Sequence, residues 1–171
     1  MSKVEAFIKH LSKLVEAKDR AVLAHLRRSL AFEPGKYVQA FPLVEPFTVG
    51  LPEARRKLYY LVAGLFASHP ENNSDPKENL GRTLKRLYLA QDESPSIEKR
   101  FLALLEADDD QLAEHLRHLV NLLKSKGIAL NWEQLMQNLI HRQHNPDEVK
   151  RKWAQGFYQP LDRKSEVQEV L

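Results

Sequence analysis

The side chains best suited to chemistry in this sequence are cations. Arg27 and Arg28 stand side by side between Leu26 and Leu30, with Arg20 two helical turns earlier. A guanidinium is a planar fork of N–H donors that matches phosphate oxygens, and each phosphate it neutralises releases counterions. Arg117, Asn121 and Lys124 recur at i, i+4 and i+7, a polar stripe spaced to follow a phosphate backbone along one helix face. Lys99 with Arg100, and Arg142, are similar candidates. Lys150, Arg151 and Lys152 span more than one helix face, so at most two of the three can serve one groove. Arg55, Arg56 and Lys57 open a helix, where the macrodipole disfavours cations, and that misfit points weakly to a partner. Every one of these groups also reads as an ordinary solvated helix face.

Other chemistries find less support. His115 with His118, and His141 with His144, have the i, i+3 spacing that presents two imidazoles to a metal, but neither pair has an evident third ligand. Asp108, Asp109 and Asp110 are explained better by helix capping than by a hard cation. The absence of cysteine excludes disulfides, thiolate metal sites and cysteine nucleophiles. There is no Gly-rich phosphate loop, no G-x-S-x-G and no H-E-x-x-H. The expectation is therefore no catalytic residue, no metal and no cofactor. Trp132, Trp153, Phe157 and Tyr158 could stack on bases, but both tryptophans lie on apolar stripes and are expected in the core; Tyr158 stays open.

The elements that must position these residues are helices. Phe7, Ile8, Leu11, Leu14 and Val15 follow a 3.6-residue period behind a capping box of Ser2 and Glu5. Asp19 caps a second helix with Val22, Leu23, Leu26 and Leu30 inward, ended by Pro34-Gly35. Residues 41–50, with Pro42 and Pro46, read as an irregular connector. Pro52 starts a helix running to Ser68-His69-Pro70, and residues 71–77 read as a flexible polar loop before a helix marked by Leu80, Leu84, Leu87 and Tyr88. Breakers at residues 92–96 place a domain boundary there. Further helices follow Ser94-Pro95, Asp108–Asp110, Asn131 with Gln134, and Asn145-Pro146, with Gly127 just past one helix end. Strand alternation is absent. The expected fold is all-α: two small helical-bundle domains, residues 1–92 and 93–160, then a tail, residues 161–171.

The 171 residues suit one domain or two small ones, and 43% hydrophobic content suffices for a core. The N-terminus is charged from Lys3 onward, unlike a secretory signal, and no apolar run approaches a membrane span. With the lack of cysteine, a cytoplasmic location is expected. Net charge is +3, unevenly spread: residues 1–90 carry 15 Lys/Arg against 9 Asp/Glu, residues 91–160 carry 9 against 11. The N-terminal half thus has the better claim to a polyanion.

Several strings together resemble one family. Ala24-His25-Leu26-Arg27-Arg28-Ser29-Leu30, Ala67-Ser68-His69-Pro70 before Leu80-Gly81, Ser96-Ile97-Glu98-Lys99-Arg100-Phe101 with Leu104-Leu105, Leu116-Arg117, Lys126-Gly127-Ile128, Trp132, and Trp153-Ala154-Gln155-Gly156-Phe157-Tyr158 occur in order. In sequence and spacing the chain resembles the CasB family, the small subunit of the type I-E CRISPR surveillance complex Cascade. The family's closing motif often has Arg-Asp where Gln155 and Gly156 stand, which removes any charge role there. The resemblance implies an all-α, non-enzymatic protein of two helical domains, packed in several copies along the belly of an RNA–protein complex. Its implied partners are the other Cascade subunits, further copies of the chain, CRISPR RNA, and the target and displaced DNA strands, with no membrane. Arg27, Arg28, Arg100, Arg117, Lys124 and Arg142 are then expected to form one elongated groove crossing both domains. A helical protein–protein adaptor that binds no nucleic acid is the alternative, and a helical enzyme with a site of scattered acids and histidines is a more distant one.

Overall fold

The structure, a computed structural model, describes residues 1–161. The described residues form nine α-helices joined by turns, and their β pairing is an isolated parallel bridge between Asn72 and Leu130. The fold is all-α, as the periodicity requires.

Most helix starts lie where the capping residues put them. Helix α1 (Lys3–Glu16) begins at Ser2, whose hydroxyl accepts the Glu5 N–H at 3.1 Å, and buries Val4, Phe7, Ile8 and Leu11. Helix α2 (Arg20–Arg28) begins at Asp19, which accepts the Val22 N–H. It tightens into a 3-10 turn (Ser29–Ala31) before Pro34-Gly35 is reached. The connector of residues 41–50 is more regular than expected: a 3-10 turn (Val38–Ala40), α3 (Phe41–Val44) and another 3-10 turn (Glu45–Phe47) follow in series. Pro42 and Pro46 sit in first turns, where a missing N–H costs nothing. Phe47 packs edge-on against Phe7 at 5.2 Å, and Tyr60 donates to Glu45 at 2.9 Å, so the connector is fastened to the core.

Helix α4 (Glu53–Ser68) buries every residue from Leu58 to Ala67. A helix apolar on all sides belongs at the centre, and α4 packs against α2, α7 and α8. Helix α5 (Leu80–Ala90) follows Asn79, whose side chain accepts the Arg82 N–H. Helix α6 (Pro95–Glu106) has Pro95 in its first turn. Helix α7 (Asp109–Ser125) starts at a complete capping box of Asp108 and Gln111, and Gly127 follows its end at φ +66°. Helix α8 (Trp132–Arg142) is capped by Asn131, and α9 (Pro146–Tyr158) by Asn145. Trp132 and Trp153 are buried in the core as expected.

Two packing details go beyond the pattern. Residues 71–77 do not hang free: the Asn73 N–H donates to the Leu130 carbonyl (2.8 Å), the Trp132 N–H to Asn72 Oδ1 (3.2 Å), the Trp132 indole N–H to the Glu71 carbonyl (3.1 Å), and Asn131 Nδ2 to the Asp75 carbonyl (3.0 Å). Helices α5 and α9 cross closely through two glycines. A Cβ on Gly81 would overlap the Trp153 carbonyl, and one on Gly156 would overlap the Asn79 side chain. At residue 156 the Arg82 backbone nitrogen stands behind that side chain, 2.9 Å from the added Cβ.

The proposed boundary at residues 92–96 is the turn from α5 to α6, with Asp92 and Glu93 left-handed at φ +55° and +56°. The buried apolar side chains of residues 1–92 and 93–160 form one continuous cluster, and α5 packs more extensively on α9 than on any other helix. Of the tail assigned to residues 161–171, all but Leu161 lie outside the described residues.

Candidate nucleic-acid interface

Helix α2 turns Leu26 into the core and leaves Arg27 and Arg28 exposed in its last turn. Cations there also complement the negative end of the helix dipole, so their placement is locally favourable. Helix α7 buries Leu112, Leu116, Leu119, Val120 and Leu123, which leaves Arg117, Asn121 and Lys124 exposed on its other side. Arg117 Nη1 donates to the Leu30 carbonyl at 2.9 Å. Leu30 is two residues past Arg28, so this bond fixes the stripe of α7 beside the end of α2. Lys124 lies seven residues beyond Arg117, about 10 Å along the axis at 1.5 Å per residue. Arg27 and Arg28 thus precede the turn to which Arg117 is bonded, a corner from which Lys124 lies further along α7.

Arg100 is exposed on α6, which packs on α7, but no described hydrogen bond or ion pair ties it to that corner. Arg142 departs from expectation. Only 8% exposed, it gives Nη1 to Asp109 Oδ1 (2.8 Å) and Nη2 to the Ala107 carbonyl (2.6 Å), tying the end of α8 to the α6–α7 turn. The signal was present: Arg142 follows Leu135 by seven residues and Leu139 by three, which continues the apolar stripe rather than leaving it.

The structure also assembles groups that spacing does not reveal. Lys77, Arg82 and Lys152, from three separate segments, line a polar cleft of 360 Å³ with Asn79 and Gln155. Lys152 also pairs with Glu148 at 3.5 Å. Glu78 is buried and accepts from Arg86 Nε at 2.8 Å and from the Thr83 hydroxyl, with Arg82 Nε 3.3 Å away. A larger cleft of 590 Å³ between α4, α7 and α8 is mixed in charge, with Lys57 paired to Glu53 and Arg142 to Asp109 beside Glu33 and Asp110, over a floor that includes Leu58, Leu61 and Leu139. Of these two clefts the basic one is the smaller, and the larger carries charges of both signs.

Of the candidate metal pairs, His141 and His144 have other partners. His141 Nε2 lies 2.8 Å from Glu148 Oε2, and this hydrogen bond, with the nearby imidazole charge, holds the Glu148 carboxyl below the usual range. Arg55 donates to His144 Nε2 at 2.8 Å, so the first turn of α4 is fastened to the α8–α9 turn. Among the described residues no three His, Cys, Asp or Glu side chains converge as a metal site. No helix there is long and apolar enough to cross a membrane. Tyr158 is half exposed; burial of its hydroxyl end and a hydrogen bond with Glu98 raise its pKa.

Comparison with known proteins adds a separate line. The sequence pattern of CRISPR-associated protein Cse2 matches residues 22–158. A CRISPR-associated protein Cse2 from Thermus thermophilus is 40% identical over 163 residues, 92% of this chain and 91% of the relative. The crystal structure of M. ruber CasB superposes with a TM-score of 0.78 at 35% identity, covering 99% of this chain and 98% of that one. A chain from a CRISPR RNA-guided surveillance complex gives 0.80 at 26% identity, with the same coverage.

Proposed function

Because the chain belongs to the CRISPR-associated protein Cse2 family, we propose that it is a non-catalytic small subunit of a cytoplasmic CRISPR RNA-guided surveillance complex. In that setting it sits beside the other subunits and further copies of itself. It stabilises the guide RNA–target DNA hybrid and the displaced strand through basic surface contacts. The hybrid is near balance with the DNA duplex it replaces, so modest protein contacts to the backbones tip the exchange, and base pairing alone reads the sequence. Phosphate contacts need charge at the right positions and no bond-making chemistry.

The observation that carries this reading is the Arg117 bond to the Leu30 carbonyl, which supports a shared face for Arg27, Arg28, Arg117 and Lys124. Arg100 is included as an outlying contact. Arg142, buried and engaged, is assigned a structural part instead.

The test compares target-DNA retention by complexes assembled with and without the chain. Loss of retention without it, restored on adding it back, is expected. The larger cleft, mixed in charge over an apolar floor, favours a second reading, a helical adaptor that meets only protein. Equal retention with and without the chain, while it still joins the assembly, would decide for the adaptor.

A further inference from the structure

Phe32 has no structural reason to be displayed. The residue is 51% exposed, directly after the 3-10 turn that follows Arg28. One face stacks on Tyr37, with centroids 5.0 Å apart and planes 23° apart, and the Tyr37 hydroxyl lies 3.1 Å from His25 Nδ1. The Phe32 N–H donates to the Ser29 carbonyl at 3.1 Å, closing the turn. The ring is thus held before anything binds it, and among the described residues Tyr37 is the only ring stacked on it.

We infer that Phe32 is a stacking platform for an unpaired nucleobase, set at the edge of the arginine corner. This rests on the nucleic-acid reading above and adds a residue and a ligand class to it. The turn advances about 2 Å per residue, which places the backbones of Arg28 and Phe32 about 8 Å apart. Arg117, held at Leu30, comes from the other side. A strand whose phosphates lie along the arginines can turn a base toward Phe32. Glu33, Asp110 and Glu114 line the 240 Å³ cleft beside the ring together with Arg117. These carboxylates repel phosphate, so the backbone stays on the arginine side. They accept hydrogen bonds, so the amino edge of a cytosine suits them. The other exposed large apolar side chains fit this role less well: Met1, Val38, Val49, Leu89 and Leu102 have no ring, and Tyr158 packs against Phe101 and Phe157, far from the arginines in sequence.

The test uses the full chain as Phe32→Trp. The native Trp132 and Trp153 are 0% and 1% exposed, so the new indole is the accessible one. At low salt it is titrated with an oligodeoxycytidylate of about 15 nucleotides, within the range of single-strand site sizes, and with an abasic deoxyribose-phosphate strand of equal length. The expected result is fluorescence quenching by the first strand and none by the second. Phe32→Ala should weaken oligodeoxycytidylate binding about tenfold and leave abasic binding unchanged, which also shows that the variant folds. Binding without quenching, or equal affinity of Phe32→Ala and wild type for oligodeoxycytidylate, overturns this inference alone. Absence of binding by every chain, wild type included, overturns it together with the nucleic-acid part of the reading it rests on.

Discussion

Arg117, on α7, donates to the carbonyl of Leu30, on the turn that ends α2, across 87 positions of sequence. That bond uses one of the five N–H donors of the guanidinium, leaving its charge and other donors for a partner. Function and structure therefore meet in this residue and have to be separated.

Arg27→Ala and Lys124→Ala should each lower the magnitude of the salt slope for target binding by the assembled complex. The change should be about 0.7 for a single-strand contact or 0.9 for a duplex contact. Both residues are exposed, so stability should shift by less than about 0.5 kcal/mol. Arg117→Ala should show the same slope change with a further loss, about 0.5–1.5 kcal/mol for one hydrogen bond. A salt titration beside a urea melt separates the two effects. Unchanged slopes for all three would reject the corner as a phosphate contact.

Arg142→Met should do the reverse. The salt slope should stay that of the wild type while stability falls by about 1–3 kcal/mol, because the buried Ala107 carbonyl loses its donor. A urea midpoint equal to wild type, with a reduced slope, would return Arg142 to the binding surface.

Gly81→Ala should cost more than Gly156→Ala. The added methyl at residue 81 meets the Trp153 carbonyl, a backbone atom that cannot rotate away, whereas at residue 156 it meets first the Asn79 side chain. Overpacking of this kind costs about 1–3 kcal/mol. Moving Asn79 also removes the cap of α5, worth about 1 kcal/mol. Differential scanning calorimetry of the two variants gives the order, and equal or raised melting temperatures would contradict the close crossing.

The Glu148 carboxyl should titrate below an ordinary glutamate in carboxyl-resolved NMR, and His141→Ala should return it toward the usual range. A carboxylate with a depressed pKa stabilises the fold above its unfolded value and loses that contribution as pH falls through its folded one. The α8–α9 turn should accordingly weaken on the acid side of the usual glutamate range. An unshifted Glu148 in the intact protein would show that the 2.8 Å contact does not persist in solution.

Helix identity and most helix starts were legible because capping is local: Ser2, Asp19, Asn131 and Asn145 each bond a backbone N–H three residues on. The exposure of Arg27, Arg28, Arg117 and Lys124 followed from periodicity for the same reason. Three features were not legible. The Lys77, Arg82 and Lys152 cleft joins segments that only the α5–α9 crossing brings together. The fastening of residues 71–77 depends on a partner segment near Leu130, and polar composition alone reads as a free loop. The display of Phe32 is not legible because a single aromatic after a helix has no period, and its placement depends on Tyr37.

The tie between residues 71–75 and residues 130–132 makes the intervening chain a ring of some sixty residues, pinned without a covalent link. Contacts this far apart in sequence are closed late, since the entropy of bringing the ends together must be met first. The α5–α6 turn lies inside the ring. A nick at residues 92–93 would leave one end of the tie on each piece, along with the two faces of the α5–α9 crossing. The cut protein should therefore stay associated under native conditions, and the separated pieces, each lacking half of a shared core, should recover native structure only when mixed.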